Sequence, residues 1–573
     1  MLHALCGLAR SSLPRECRTG AVELLLTLAE GAPKMCAKLD PPGYACALLE
    51  ALLPMMLRLP EDSTEWEEGE PLDGLAQGDD DDEAEAEAAY ALEGLDRLCG
   101  ALDGDSVGPL LLERLGSLLG ASGGSSWQAT HVALVAVAVV SEHCQVVLTP
   151  HVPSLAGSIA TNARAALPRV RWASFYSLAV LSDEFGELAE AHHSLLLPPL
   201  ILGLSDTSSR VQAAAAVAAV QLCGGLPAGV LDAHLEPLLR ALHTALSSAA
   251  IRPFVVRSVA AAIAAVATHA GTAVGPYYSG LMPLLRQRLQ HASATKASTL
   301  LCALVDAFGC VAHAAGGATV GADPQCENDV RGLVALLASD ALSAHPAAYS
   351  FVSASEVGES GVDVVHAALA KFARLLPARF APLLGQLVPP LLQAAGLDPD
   401  FSISRVEIEE EDDDDDYEVS YTPEPSGRGL IRSRVNVSQT AAKIGALRAL
   451  AAYAAAQRAR FLPFLPAAVA AVVPVLAFRF HPSARATAAS ALAACYRCGV
   501  LAARGESGTT LPRDEMSSLL EAIAKPIGAA LSAEEEPEPA EAMLAFFQQV
   551  AVGMVVVGTA VGMVVGMVVP WDR

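Results

Sequence analysis

Apolar positions along the chain recur at the spacing of a helix face. Val211, Ala214, Ala215 and Ala218 follow the i, i+3, i+4, i+7 pattern, which puts one apolar stripe on one side of a 3.6-residue turn. Proline followed closely by leucine opens an apolar run repeatedly. It does so at Pro109, Pro153, Pro199, Pro237 and Pro283, with gaps of 44, 46, 38 and 46 residues, and again at Pro382 and Pro474. Proline fits the first turn of a helix, where its missing N–H is not needed and its fixed φ is already helical. Each anchor therefore predicts a helix start. A short polar turn then leads to a second helix, which opens on Asp or Pro, then Arg-Val or Ala-Arg, then small apolar residues. Examples are Pro168 to Ala173, Asp206 followed by Arg210 and Val211, and Pro482 to Ala486.

Two helices per roughly 40 to 47 residues, neither able to bury its own face alone, is the pattern of HEAT or armadillo repeats. Armadillo units carry a third helix and a Gly break, so HEAT fits better. The expected fold is all-α, a right-handed HEAT-repeat superhelical solenoid. No strand-like alternation of useful length stands outside the C-terminal tail, which argues against a parallel-sheet enzyme. Three stretches interrupt the repeats and set the expected organisation: HEAT-like helices over 1–60, an acidic loop over 61–89, HEAT repeats over 90–400, an acidic and Pro/Gly-bearing insertion loop over 401–437, further HEAT repeats over 438–545, and an apolar Val-Gly-Met tail over 546–573.

Composition agrees with helices packed through small side chains. Hydrophobic residues make up 53% of the 573, but aromatics only 5%. The apolar mass is thus Ala, Leu and Val, unlike the aromatic-rich strands of a sandwich or barrel. The net charge of −26 is local: residues 61–93 hold 15 acids and no Lys or Arg, residues 407–424 hold 11 and no base, and residues 534–541 hold five. The remainder, 32 acids against 37 bases, is close to balanced. Such segments repel nucleic acid and attract basic protein surface. The candidate partner-binding residues are accordingly Asp79, Asp80, Asp81, Asp82, Glu83 and Glu85 in the first run, and Glu409, Glu410, Glu411, Asp412, Asp413, Asp414, Asp415, Asp416 and Tyr417 in the second. A solvated linker is the alternative for both.

Catalytic and metal chemistry find little support. The second acidic run lacks the spaced ligands and central Gly of an EF-hand loop. Cys495 and Cys498 form a lone CxxC without a second ligand pair. His143, His192 and His193 lack metal spacing, and no phosphate loop, nucleophile elbow or HExxH occurs. The expectation is a non-enzyme with no metal and no cofactor. The twelve Cys are scattered through apolar helical text, as small core residues of a reducing compartment are. Residues 550–570 are long enough to cross a bilayer, but their Val and Gly content disfavours a helix and basic flanks are missing, so a membrane anchor is not expected. Pro168, Arg171, Asp206, Arg210 and Arg485 are expected to be structural, each Arg pairing with an Asp of the neighbouring turn. Trp172 is expected to pack, with contact to a bound peptide as the sharper option.

The order of these pieces resembles the importin-beta family of nuclear transport receptors, most of all its beta-3 type. The resembling text runs from about Ala21 to Cys498. It comprises "EWEEGE…GDDDDEAEAEAAYALEGLDRLCGAL", "PRVRWASFYSLAVLSDEF", "RVQAAAAVAAVQLC", "GPYYSGLMPLL", "EIEEEDDDDDYEV" and "FRFHPSARATAASAL". It corresponds to the middle of the family's chain, after the repeats at which family members mainly bind Ran-GTP. The resemblance implies nuclear import of basic cargo such as ribosomal proteins or histones, contacts with Phe-Gly nucleoporins in grooves between outer helices, and release by Ran-GTP with the acidic loop as coupler. It implies residence in cytoplasm and nucleus and at the nuclear envelope rim. A static HEAT scaffold or regulatory subunit without transport activity needs only the repeats and stays open.

Overall fold

The computed structural model describes residues 2–38, 43–60, 66–67, 69, 83–119, 126–227, 229–339, 342, 360–406, 417–423 and 430–557. The described chain falls into two compact units, Met1–Arg288 and Leu289–Arg573.

The first unit is built of helix pairs: α1 (Leu2–Ala9) with α2 (Arg15–Gly31), α3 (Gly43–Met56) with α4 (Glu83–Leu102), α5 (Gly104–Leu119) with α6 (Trp127–Val139), α7 (Val152–Asn162) with α8 (Pro168–Glu184), α9 (Gly186–Gly203) with α10 (Ser209–Gly224), and α11 (Leu235–Ser247) with α12 (Pro253–Ala270). The second helices stack on one another in order, α6 on α8, α8 on α10 and α10 on α12, while α7, α9 and α11 form the other layer. Each repeat thus buries its stripe on its neighbours, as HEAT repeats do. Small residues allow close approach. On α10, Ala213, Ala215, Ala216, Ala218 and Ala219 are all buried. A methyl group on Gly203 would stand 2.4 Å from Cζ of Phe175, itself fully buried.

The unit boundary falls within α13 (Tyr278–Thr295). The second unit continues with α14 (Ser298–Ala322), α15 (Cys326–Leu337), α16 (Gly361–Leu375), α17 (Leu384–Ala395), α18 (Val437–Gln457), α19 (Leu465–Val472), α20 (Pro482–Ala503), α21 (Arg513–Leu531) and α22 (Pro537–Val557). Here α14, α16, α18, α20 and α22 stack in sequence, around Phe308, Phe372, Tyr453, Phe461 and Phe546. Ser360 and Asp363 cap α16 reciprocally, which satisfies two N–H groups that a helix start leaves open. The apolar helices Ser298–Ala322 and Pro482–Ala503 are long enough to cross a membrane, yet 72% of their apolar window is buried within the protein.

Three expectations need correction. Pro153 and Pro474 do sit in the opening turns of helical segments, but Pro109, Pro199 and Pro283 lie inside helices. An interior proline costs about 3 kcal/mol. Around Pro199 that cost is offset by burial of Leu196, Leu197 and Leu200. Second, the insertion expected as a loop carries a three-stranded antiparallel sheet, β1 (Phe401–Val406), β2 (Tyr417–Pro423) and β3 (Leu430–Asn436), in the order β1-β3-β2. Ser402 faces Arg434 and Tyr421 faces Arg432 across the ladders. Phe401 packs on Phe480 at 4.8 Å, and Asn436 ends β3 by capping α18 through a bond from the Gln439 N–H at 2.9 Å. Third, the apolar tail does not start as a featureless segment. Residues up to Val557 continue α22, with Met543, Phe546 and Val550 buried, so tertiary burial overrides the weak helix propensity of Val and Gly.

Candidate partner-binding site

The N-terminal ends of α8 and α10 lie side by side. Pro168 is the first residue of α8. One turn further along, Arg171 projects toward the turn before α10. Its Nε and Nη2 donate to the two oxygens of Asp206 at 2.7 and 2.8 Å, and its Nη1 donates to the carbonyls of Ala165 and Ala166 at 3.0 and 2.9 Å. Asp206 also accepts from the Ser208 N–H at 2.9 Å. The second unit repeats this device: Arg485, near the start of α20, grips Glu534 with two bonds of 2.7 Å and donates to the Phe478 carbonyl at 3.0 Å. The Arg485 hydrogen bonds hold the Glu534 carboxyl below its usual range.

Arg210 behaves differently. Its guanidinium lies 4.9 Å from the ring centroid of Trp66, and its Nε donates to the Gly69 carbonyl at 3.5 Å. The Arg169 guanidinium lies 4.5 Å from the same ring. Trp66 is only 7% exposed, although the residues around it in the chain are acidic. Its ring also meets Trp172 edge-on at 6.3 Å. Trp172 in turn stacks on His131 at 5.8 Å and Tyr176 at 5.2 Å. Burial pulls the His131 pKa down to about 4, so the ring is neutral at pH 7. Its Nδ1–H donates to the Arg169 carbonyl at 3.0 Å. Burial pushes the Tyr176 hydroxyl up to about 12.

The acidic candidates divide. Glu85, on the first turn of α4, pairs with Arg169. Two residues on, Glu87 is almost fully buried between Arg18, at 2.7 Å, and Arg58, at 3.1 Å. Glu83 opens α4. Asp79, Asp80, Asp81 and Asp82 lie outside the described residues, as do Glu409, Glu410, Glu411 and Asp412 to Asp416. Tyr417 opens β2 in the second unit. Its hydroxyl donates to Asp400 at 3.2 Å and its ring lies 4.4 Å from the Arg434 guanidinium. In the first unit, Pro168, Arg171, Asp206, Arg210 and Glu85 are therefore brought into one neighbourhood. Sequence reasoning overlooked Trp66, Arg169 and His131 there. The one usable signal was a lone tryptophan in an otherwise acidic and Gly-bearing stretch.

A second feature of the first unit is an apolar cavity of about 310 Å³ among α5, α6, α7 and α8, lined by Leu112, Leu115, Leu119, Leu134, Leu155 and Ile159, among others. It has room for an aromatic side chain. Among the described residues no group of His, Cys, Asp and Glu is placed to hold a metal. Cys495 and Cys498 are buried in α20, where the Cys498 thiol donates to the Ala454 carbonyl at 3.1 Å and burial pushes the Cys495 thiol up to about 12.

Comparison with known proteins bears on this geometry. Residues 11–109 match the family of the importin repeat. Importin subunit beta-3 of Saccharomyces cerevisiae is 28% identical over 402 residues, covering 68% of this chain and 33% of that protein. The crystal structure of Kap121p bound to Nup53p superposes with a TM-score of 0.72 at 25% identity, covering 97% of this chain and 49% of Kap121p. That of the karyopherin Kap121p bound to the extreme C-terminus of the protein phosphatase Cdc14p gives a TM-score of 0.72 at 24% identity over 96% of this chain and 49% of that one. The chain thus spans half or less of the length of these relatives.

Proposed function

We propose that this chain, a member of the importin-beta family, is a nuclear import receptor that holds basic protein cargo, such as ribosomal proteins or histones, through its acidic segments and carries it through the nuclear pore. The observation that carries the reading is the placement of charge. Acids are concentrated in local segments of the chain, and the rest of the sequence is nearly neutral. Within the repeats, Arg18, Arg58, Arg169 and Arg171 are each paired with an internal acid. A dense row of carboxylates attracts Lys and Arg runs over about 10 Å at moderate salt and loses that attraction as salt rises.

The apolar cavity beside Leu115 and Ile159 supports a second contact, with Phe side chains of Phe-Gly nucleoporins. That Kap121p is known bound to Nup53p is consistent with a nucleoporin partner. Release by Ran-GTP and accumulation at the nuclear rim belong to the same proposal and rest on family membership.

The test is a pull-down of the full chain with a basic ribosomal protein and with a Phe-Gly repeat peptide, at low and high salt. Retention of both at low salt, loss of the basic protein at high salt, and its loss on deleting residues 70–82 and 407–416 support the reading. Failure to retain either at low salt overturns it. A static scaffold would keep its partner whether or not Ran-GTP is added.

A further inference from the structure

Trp66 is buried against the N-terminal ends of α8 and α10. At the α8 and α10 ends, Trp66 and Glu67 meet residues far along the chain: the guanidinium groups of Arg169 and Arg210 and the Trp172 ring lie against the indole, and the Ser208 hydroxyl donates to the Glu67 carbonyl at 3.4 Å across 141 positions. None of these contacts depends on Trp66 being in the same polypeptide. The cleft walls are held by other partners. Arg169 is braced by Glu85 of α4, Trp172 is stacked between His131 and Tyr176, and the turn carrying Ser208 is fixed by the fork from Arg171 to Asp206. A prebuilt wall of this kind loses little entropy when it receives a ligand.

Charge supports the same conclusion. Two cations over the faces of an indole form a strong aromatic clamp. They also suit acids flanking that indole, as Glu65, Glu67 and Glu68 flank Trp66. The repeat pattern would send Arg210 to an acid in the next inter-helix turn, as Arg171 goes to Asp206. The turn after α11, residues 248–252, contains none.

We propose that the cleft formed by Arg169, Trp172, Ser208 and Arg210 is a binding site for a tryptophan within an acidic peptide, kept shut in cis by Trp66. A partner bearing such a segment enters by displacing the chain's own. The basic-cargo reading is independent of this site, which selects the opposite charge.

The probe is a fluorescein-labelled peptide of residues 61–70, Glu-Asp-Ser-Thr-Glu-Trp-Glu-Glu-Gly-Glu, titrated by anisotropy into full-length protein. A tethered segment competes at a millimolar effective concentration. Trp66→Ala should therefore bind the peptide at least about tenfold more tightly than the unaltered chain. Adding Arg210→Ala to Trp66→Ala should remove about tenfold of that gain, and a peptide with Ala in place of its Trp should not bind. Equal binding to both chains, or none to a folded Trp66→Ala chain, overturns the proposal. Should Trp66→Ala fail to fold, hydrogen exchange on the unaltered chain decides. Excess peptide must speed exchange at residues 66–69 without changing α4, and unchanged exchange at 66–69 refutes the site.

Discussion

Replacing Arg171 by Ala tests whether neighbouring repeats are locked by the guanidinium fork. The side chain makes four hydrogen bonds, two to Asp206 at 2.7 and 2.8 Å and two to backbone carbonyls at 3.0 and 2.9 Å. The two charged side chains are 15% and 10% accessible, so water screens them little. Bonds to a charged group are worth about 1.5–3 kcal/mol each in mutational series, but they do not add. Desolvation of both ions offsets much of the attraction. Removing one ion from a mostly buried pair costs about 3 kcal/mol, because the survivor stays buried without its counter-charge. Asp206 retains the Ser208 N–H, which keeps the cost near that figure. Arg171→Lys should restore little, since an ammonium cannot span both carboxylate oxygens and two carbonyls.

The assay is urea unfolding of the unaltered chain, Arg171→Ala, Asp206→Ala and the double variant. Three of the four tryptophans, Trp66, Trp127 and Trp172, belong to the first unit, so tryptophan fluorescence follows that unit. The expected coupling between the two sites is about 2 kcal/mol. A coupling below about 0.5 kcal/mol, the level of an exposed ion pair, would refute the claim that the fork stiffens the stack.

Three further outcomes follow. Arg97 forks to Glu23 and Glu30, and its hydrogen bonds, with that of Tyr90, lower the Glu23 pKa to about 2. A lowered carboxylate stabilises the fold above its unfolded pKa, near 4.3, and that contribution fades as pH falls through its folded value. The Tm gap between the unaltered chain and Arg97→Ala should therefore narrow as pH falls from about 5, and a constant gap would contradict it. Phe546→Ala should cost about 3–5 kcal/mol, because Phe546 is fully buried against Tyr496 at 5.7 Å. Loss of less than about 1 kcal/mol in urea unfolding would mean that α22 is not part of the core. Gly203→Ala should destabilise by about 1–3 kcal/mol, since its new methyl would meet the buried Phe175 ring at 2.4 Å. An unchanged Tm would show that the ring can move aside.

The repeat architecture was readable because its signal is redundant. Small apolar residues at helical spacing and Pro-Arg or Asp-Arg openings recur many times, so misplacing a few helix starts leaves the pairing intact. Pro109, Pro199 and Pro283 misled because local rules place proline at a helix start, whereas their helices begin earlier and are held by burial. The small sheet went unread for a related reason. "FSISRV", "YEVSYTP" and "LIRSRVN" do alternate, but each is short, and pairing between strands separated by other segments is not a local property. Similarly, nothing local distinguishes the Val-Gly end of α22 from linker. Its helix depends on Met543, Phe546 and Val550 finding a neighbouring surface.

The candidate site was legible through its Arg residues and Asp206, and not through the partners of Arg485 and Arg210. Arg171 and Arg485 follow one rule: a cation at the start of a second helix, where the helix dipole disfavours it, is held there by an acid from the next inter-helix turn. For Arg171 that acid, Asp206, is 35 residues away and visible in the repeat period. For Arg485 it is Glu534, 49 residues on, inside an acidic cluster that reads as solvated until the fork is seen. Arg210 keeps the cation but not the acid in the turn, so the repeat period predicts the wrong neighbour for it. Its ring contact lies backward in the chain, in the acidic insertion between α3 and α4. A repeat position that retains one half of a conventional pair and lacks the other is thus a place to look for a contact from outside the repeat. In this chain that contact is an indole with guanidinium groups at 4.5 and 4.9 Å from its ring centroid.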